Sequence, residues 1–390
     1  MTETQKEHYF DWASTSPTDK EIVEEAFSRT LAAWGNPSSI HAAGKEAKAL
    51  LDEARLRCAK VLSVPEETIY FTSGGTESDH IPLLSVLNKP GKGTVLFSSI
   101  EHPAVQEMAS ELKKCGWNAV AIPSNSEGIV TAQAVKNLLT ADTAMVFVMA
   151  VNNETGAIQP IREIAAAITE FAGNKRRPKL HVDCVQAAGK IPLNLCDMGI
   201  DSAAFSAHKI CGPRGIGILY MKDKTEPFLR GGGQEKGIRS GTENVYGALS
   251  FAKALEKHYI TPSSKAFYRY ELQKKLALDF CEKIAAIKGA TLIPQIRLEK
   301  SENYSPWVVQ ASFKNIPGQV MLRALDSEGF YISTGSACSS RKNSRPILEA
   351  MHVTKEQSEN AVRFSFGPST TEKAMNELCD KVIEICSRFN

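Results

Sequence analysis

Between Thr68 and Met221 the chain repeats one pattern: a short β-rich run, then a stretch with helical periodicity, then another run. The runs are Thr68 to Thr72, Thr94 to Ser98, Met145 to Met149, Leu180 to Asp183, Ala203 to Ser206 and Ile216 to Met221. Strands separated by helical crossovers pair in parallel and need helices on both faces, so this alternation predicts an α/β domain with a mainly parallel sheet. Ahead of it, Ala42 to Leu62 reads as a packing helix, interrupted only by Gly44, with Ala47, Leu50, Ala54 and Val61 on one face. After Val245 a helical pattern runs toward Ile287 with a break near Pro262. Strand-like runs at Val308 to Phe313 and Arg363 to Phe366 then alternate with helices around Gln319 to Glu328 and Thr371 to Arg388. A chain of 390 residues is long enough for two cores. The expected division is a large domain over 15–260 and a smaller α+β domain made of 1–14 and 261–390.

Charge excludes some partners. The 46 basic and 44 acidic residues leave a formal charge of +2, so no bulk attraction to nucleic acid or to an anionic membrane is implied. The longest apolar stretch, Ala144 to Val151, is far too short to span a bilayer, and Met-Thr-Glu-Thr-Gln-Lys-Glu-His lacks the apolar core of a signal peptide. A cytoplasmic location is expected. Nine cysteines, an odd number without C-x-x-C or Cys/His ligand spacing, argue for reduced thiols and against a disulfide framework or a metal site. Cys184, Cys211, Cys379 and Cys386 read as packing positions.

Three segments carry chemistry. Ile69-Tyr-Phe-Thr-Ser-Gly-Gly-Thr-Glu-Ser78 sets two glycines and a threonine between a strand and a helix, where free N–H groups and the helix dipole favour one phosphate. It is neither a Walker A loop nor a G-x-G-x-x-G loop. Leu180-His-Val-Asp183 ends a strand on an acid, at the usual ligand edge of a parallel sheet, and Ser202-Ala-Ala-Phe-Ser-Ala-His-Lys209 follows. Asp183 has the right chemistry to hold a proton on a pyridine nitrogen, and Lys209 to form a Schiff base, as a pyridoxal phosphate (PLP) enzyme requires. Taken singly, a tight turn, a strand-end cap and a solvated lysine account for the same residues.

Taken jointly, the motifs are specific. Thr-Ser-Gly-Gly-Thr-Glu-Ser, Glu-His-Pro-Ala-Val, Val-Asn-Asn-Glu-Thr-Gly, His-Val-Asp-x-x-Gln, Ser-Ala-His-Lys, Arg-Ser-Gly-Thr-Glu-Asn, Ser-Thr-Gly-Ser-Ala-Cys and Arg-Phe-Ser-Phe-Gly occur in the order seen in cysteine desulfurases of the NifS/IscS type. The chain resembles that family from about Tyr9 to its C-terminus. The resemblance implies PLP fold type I, like aspartate aminotransferase, and a homodimer with active sites at the subunit interface. It implies Lys209 as the Schiff-base lysine, Asp183 against the ring nitrogen, Gln186 against the ring hydroxyl, and His102 stacked on the ring. Gly75, Thr76, Ser206 and His208 would hold the phosphate, with Thr242 reaching the phosphate of the neighbouring subunit. Asn153 and Arg363 would clamp the substrate carboxylate. No metal is implied.

By the same resemblance L-cysteine displaces Lys209, the freed amine takes the Cα proton, and Cys338 takes the sulfur as a persulfide while the remainder becomes alanine. Sulfur would then pass to an acceptor protein of iron–sulfur assembly or of tRNA or cofactor thiolation. Cys338 stands in a Gly/Ser-rich stretch, suited to reaching the cofactor and then an acceptor. Arg341, Lys342 and Arg345 stand close to it. Lowering a thiol pKa from ~8.5 by ~1.5 units raises the thiolate fraction at pH 7 from about 3% to roughly half. The accompanying loss of nucleophilicity leaves about a threefold gain. Loop length should therefore matter more than the three charges. If neutralising all three slowed persulfide formation about a hundredfold while shortening the loop did nothing, that order would be reversed.

The chain departs from the family at four places. Gly75 stands where alanine is usual, and Asp79-His80 stand where asparagines are common. Ser-Ser-Arg-Lys-Asn-Ser-Arg-Pro346 replaces a run toward Leu-Glu-Pro, and the sequence stops at Asn390 without the C-terminal extension that many members use to dock a scaffold protein. Selenocysteine lyase or a cysteine β-lyase on the same scaffold is the alternative reading, separated by whether Cys338 is required. A regulatory protein with a degenerate site, and a cysteine hydrolase using Cys338 with His102 or His208, are further rivals.

Overall fold

The computed structural model describes residues 7–335 and 345–389. Helix α1 (Lys20–Ala32) starts at Asp19, whose carboxylate accepts from the N–H groups of Glu21 and Ile22. Helix α2 spans Ala42–Leu62, the range expected from its pattern. Its buried stripe is Ala47, Leu51, Ala54, Cys58 and Leu62, while Leu50 and Val61 are only half-buried. Ala47 and Ala54 of the expected face are in the stripe, whereas Leu51 and Leu62 take the places expected of Leu50 and Val61. Arg55 is on that side because both its terminal nitrogens bind buried Glu235, at 2.8 and 2.7 Å.

Seven strands form the main sheet: β1 (Ile69–Thr72), β2 (Thr94–Ser98), β3 (Asn118–Ile122), β4 (Thr143–Phe147), β5 (Lys179–Asp183), β6 (Ser202–Ser206) and β7 (Gly217–Met221). Their order is β1-β7-β6-β5-β4-β2-β3. The pairs from β6 across to β3 are parallel, and β7 runs antiparallel to both β1 and β6. The sequence pattern missed β3, an edge strand with Asn118 and Ala121 exposed, whose alternation leaves too thin an apolar run to stand out. Because β7 alone is reversed, the C-terminal ends of β1, β2, β4, β5 and β6 share one edge of the sheet. Helices α3 (Gly75–Leu84), α4 (Pro103–Lys114), α5 (Ala132–Leu138), α6 (Ile161–Ala172) and α7 (Val245–His258) cover its faces.

Helix α8 (Lys265–Ala285) leads to a second, antiparallel sheet of β8 (Ala290–Ile293), β9 (Val308–Phe313) and β10 (Ala361–Ser365), with β9 in the middle. Helices α9 (Gly318–Ser327) and α12 (Glu372–Ser387) pack on it, whereas the short α10 (Pro346–Ala350) and α11 (Lys355–Glu359) bridge the last two strands in sequence. Strand β8 was not foreseen. The second core is aromatic: the Phe280 ring meets Phe364 at 5.3 Å and Phe366 at 5.2 Å, edge to face. Phe10 joins this core, its backbone bonded to Tyr331 and Ser365. Ile347, Leu348 and Met351, by contrast, pack into the first core, so the chain crosses from one core to the other around α10. Cys184, Cys211, Cys379 and Cys386 are buried, as expected of packing thiols. Among the described residues no helix is long and apolar enough to cross a membrane.

Candidate active site

The shared strand edge opens into a cavity of ≈ 250 Å³. Its lining includes Gly75, Thr76, His102, Asn153, Asp183, Gln186, Ser206, His208, Lys209 and Arg363, joined by Ala13, Ser14, Asp79, Met149 and Val185. Residues expected from motifs far apart in the chain therefore meet in one place. Thr242 is exposed and outside this lining. Cys338, with Arg341 and Lys342, lies outside the described residues.

The local sequence explains how each wall is built. β1 turns through Ser73-Gly74 straight into α3, so Gly75 and Thr76 are the first helical residues and offer unpaired N–H groups. A Cβ on Gly75 would lie 2.7 Å from Val185 Cγ2, so the alanine usual at this position would crowd the chain just after Asp183. His102 caps α4: its Nδ1 accepts the Ala104 N–H at 3.2 Å, which puts the ring proton on Nε2. Burial, then the charge of Lys209, lowers its pKa to about 4, so the ring is neutral at pH 7. His208, beside Thr15 Oγ1 at 3.1 Å, is lowered to about 4 by burial, Lys209 and Arg214.

Lys209 lies in the single helical turn after β6, and its Nζ donates to the carbonyls of Ala13 (2.6 Å) and Ser14 (2.7 Å). The N-terminal segment thus crosses from the second core to hold the lysine over the sheet edge. Gln186 donates through Nε2 to Ala13 O at 2.8 Å and accepts from Lys190 Nζ, leaving one amide hydrogen for a ligand. Arg363 is 1% exposed and bonds through Nη1 to Asn153 O at 2.9 Å. Its Nη2 meets Asp11 Oδ1 and Ser14 Oγ, each at 2.7 Å. Its Nε and the Asn153 side-chain oxygen are buried without a partner among the described residues. One orphan donor and one orphan acceptor suit an amphoteric ligand such as an amino acid.

Sequence reasoning missed a buried acidic group at the cavity. Asp79, noticed only as a departure, is 1% exposed and meets His181 Nε2 at 3.1 Å, while His181 Nδ1 meets Ser202 Oγ at 2.8 Å. Glu101 accepts from Ser98 Oγ at 2.6 Å and Met149 N at 2.7 Å, and burial raises its pKa to about 8. Asp183 is raised to about 7 by burial and by Asp79. Lys190, also missed, is pushed well below its ordinary value by burial, then by Lys209 and Arg363. Its only sequence signal was a position four residues after Gln186.

These carboxyls give a pH prediction for the cofactor-free protein. Below about pH 4 both acids are protonated in either state. As pH rises through 7 to 8 the unfolded chain has already released protons that the fold still holds, so their contribution to stability is lost. Raising Asp183 from the ordinary aspartate value of 3.8 to about 7 is worth on the order of 4 kcal/mol. The denaturation midpoint of the cofactor-free protein is expected to fall between pH 5 and 8, and Asp183→Asn to flatten that fall. An unchanged slope in Asp183→Asn would refute the assignment.

The comparisons agree with this geometry. The aminotransferase class-V family profile matches residues 8–378. A protein named cysteine desulfurase IscS from Dictyoglomus turgidum is 34% identical over 388 residues, covering 97% of this chain and 95% of that protein. A protein of the same name from Methanosarcina thermophila is 34% identical and covers 98% and 92%. A solved NifS-like protein superposes with a TM-score of 0.85 at 34% identity, over 97% of this chain and 99% of that one. A NifS-like protein from Rickettsia africae gives 0.82 at 26% identity, over 97% and 99%. With its strand-edge lysine, aspartate and glycine turn in one cavity and its full-length relatives, the chain belongs to the class-V aminotransferase family, in the NifS/IscS cysteine desulfurase group.

Proposed function

We propose that this protein is a PLP-dependent cysteine desulfurase that converts L-cysteine to L-alanine and takes the sulfur onto Cys338. The observation that carries the reading is the convergence of Lys209, Asp183, His102 and the Gly75-Thr76 turn with Arg363 and Asn153 in one cavity. The cavity's residues fit the cofactor. Gly75, Thr76, Ser206 and His208 would hold the phosphate at the start of α3. Asp183 would hold the ring-nitrogen proton, the remaining Gln186 N–H would face the ring hydroxyl, and neutral His102 would cover the ring. When bound, PLP supplies an electron sink for the substrate's α-carbon.

In this reading Arg363 and Asn153 orient the substrate carboxylate, and Lys209 Nζ accepts the Cα proton and later returns a proton. The Cys338 thiolate attacks the substrate sulfur. A sulfur–sulfur bond forms, the substrate carbon–sulfur bond breaks, and protons complete alanine, so the balance is L-cysteine plus thiol to alanine plus persulfide. We read the two cores as the two domains, divided near residues 14 and 260. A homodimer is supported by Thr242, exposed and outside its own cavity, and by Trp34 and Ile40, 79% and 90% exposed. The sulfur acceptor is read as a protein of iron–sulfur assembly or thiolation, and the location as cytoplasmic.

The test is to incubate the purified protein with L-cysteine, quantify alanine and look by mass spectrometry for added sulfur on the Cys338 peptide. Alanine with persulfide on Cys338, both lost in Cys338→Ala, is the expected result. Pyruvate, or no product with Cys338 unmodified, would sink the desulfurase reading in favour of a β-lyase or another PLP reaction.

A further inference from the structure

Among the described residues, two departures from the family pattern line the cavity, Gly75 and Asp79. Asp79 stands on α3 one helical turn after Gly75 and is buried. Its Oδ1 meets His181 Nε2 at 3.1 Å, and His181 Nδ1 meets Ser202 Oγ at 2.8 Å. His181 and Asp183 are two residues apart on β5, so their side chains leave the same face of the strand, about 7 Å apart along it. Held to His181, Asp79 therefore reaches the cavity from beside Asp183. Asp183 Oδ1 accepts the Val185 N–H at 2.8 Å. Each of the two acids keeps one oxygen without a hydrogen-bond partner among the described residues.

Ser202, His181 and Asp79 have the residue types of a charge relay, but Ser202 opens β6 while the cavity lies at the Ser206 end, four residues or about 13 Å away. The Ser202 side chain is buried there, so its hydroxyl meets no substrate. Nor does the bond to His181 require an acid. Burial lowers the His181 pKa to about 3, so the ring is neutral at pH 7, and a neutral ring donating through Nε2 is served equally by an amide oxygen. Asparagine, common here in the family, would make the same contact. What the acid adds is charge. Burial pushes the Asp79 carboxyl well above the usual carboxylate range, and no lysine or arginine among the described residues pairs with it. Its negative charge therefore appears only as the pH rises, and it bears on Asp183 and on Glu101. The other titratable groups nearby are neutral His102, His80 turned to Ala104 O, the Cys184 thiol, itself raised by burial, and Lys209.

We propose that Asp79 acts through Asp183 as a second acid for the cofactor's ring nitrogen, its carboxylate keeping the proton at that contact to a higher pH than asparagine would. This rests on the reading of Asp183 as the ring-nitrogen partner. Removing the proton shared by Asp183 and the ring nitrogen leaves the Asp183 carboxylate facing that of Asp79 with no cation between them, so the proton is held more tightly. The effect belongs to the alkaline side, where Asp79 is ionised and the ring proton would otherwise be lost. At lower pH Asp79 is itself protonated and adds no charge. A ring that keeps its proton stays the stronger electron sink.

The test uses holoenzyme loaded with PLP that carries nitrogen-15 in its ring, as wild type, Asp79→Asn, Asp79→Ala and Asp183→Asn. The ring nitrogen's NMR shift, which reports its proton directly, is followed across the neutral and alkaline range without substrate. In Asp79→Asn the ring is expected to lose its proton about one pH unit lower than in wild type, the low end of what a nearby opposite charge does. The melting temperature should be retained, because the amide keeps the contact to His181. Asp79→Ala, which removes charge and contact together, should show the same shift. Identical titrations of wild type and Asp79→Asn would overturn the proposal. So would a shift in Asp79→Ala alone, since that assigns the effect to the placing of His181 and not to charge. Unaltered ring protonation in Asp183→Asn would bring down the Asp183 reading and this proposal with it. Loss of the ring proton in Asp183→Asn beside a wild-type titration in Asp79→Asn would overturn this proposal alone.

Discussion

Lys209→Ala is expected to lower alanine formation from L-cysteine by at least ~10³-fold, in line with removing a general base whose contribution is typically 10²–10⁴-fold, compounded by loss of the covalent tie to the cofactor. Among the described residues lining the cavity it is the one lysine, and its amine is already held at the sheet edge by Ala13 O and Ser14 O. Lys209→Arg should be equally inactive, because a guanidinium keeps the charge but neither forms the tie nor accepts a proton near neutral pH. Lys190 is the control. It is buried and held to Gln186 rather than to the N-terminal carbonyls, so Lys190→Met should reduce activity far less than Lys209→Ala does. Alanine production read beside visible absorbance checks this. A Lys209→Arg enzyme retaining a tenth of wild-type activity would show that charge, not proton transfer, is what the position supplies.

Arg363→Ala should raise KM for L-cysteine and reduce kcat/KM by roughly 30- to 5000-fold, the range that corresponds to the ~2–5 kcal/mol lost when one partner of a buried charge pair is removed. The arginine is 1% exposed, and four of its contacts converge from three chain segments: Asp11, Ser14 and Asn153, with Ser333 on its backbone. Arg363→Lys keeps a cation but not the fork that matches a carboxylate, so it should fall between wild type and alanine. An ordinary structural ion pair predicts something different: a lower melting temperature with KM unchanged. The Asp11 side chain is 23% exposed, so water reaches the partner left behind and the stability loss should be modest. Competition by alanine, which keeps the carboxylate and lacks the thiol, provides a second readout that should weaken in parallel with KM.

The cationic surroundings of the Cys338 segment look different with the fold in hand. Arg345 was one of three charges expected to bear on the thiol, yet its guanidinium is engaged by Glu154, Ser358 O and Ala361 O. Arg341 and Lys342 lie outside the described residues.

Much of the frame was written locally. The alternation of runs from β1 to β7, the glycine turn opening α3, the acid ending β5 and the lysine just after β6 are each set by residues within a few positions of one another. Backbone periodicity and turn chemistry act over that range, so the sequence determined them, and the joined motifs named the family. The weak edge strands β3 and β8 escaped because half-exposed short runs carry little periodicity. The tertiary structure decided the pairings. Arg363 meets Asp11 across 352 positions, Arg345 meets Glu154 across 191, His181 meets Asp79 across 102, and Arg55 meets Glu235 across 180. A charged or polar side chain carries no mark of its distant partner. Its partner is chosen when the topology brings the strand edge, the N-terminal segment and the second core together and the loss of water makes an unpaired group costly.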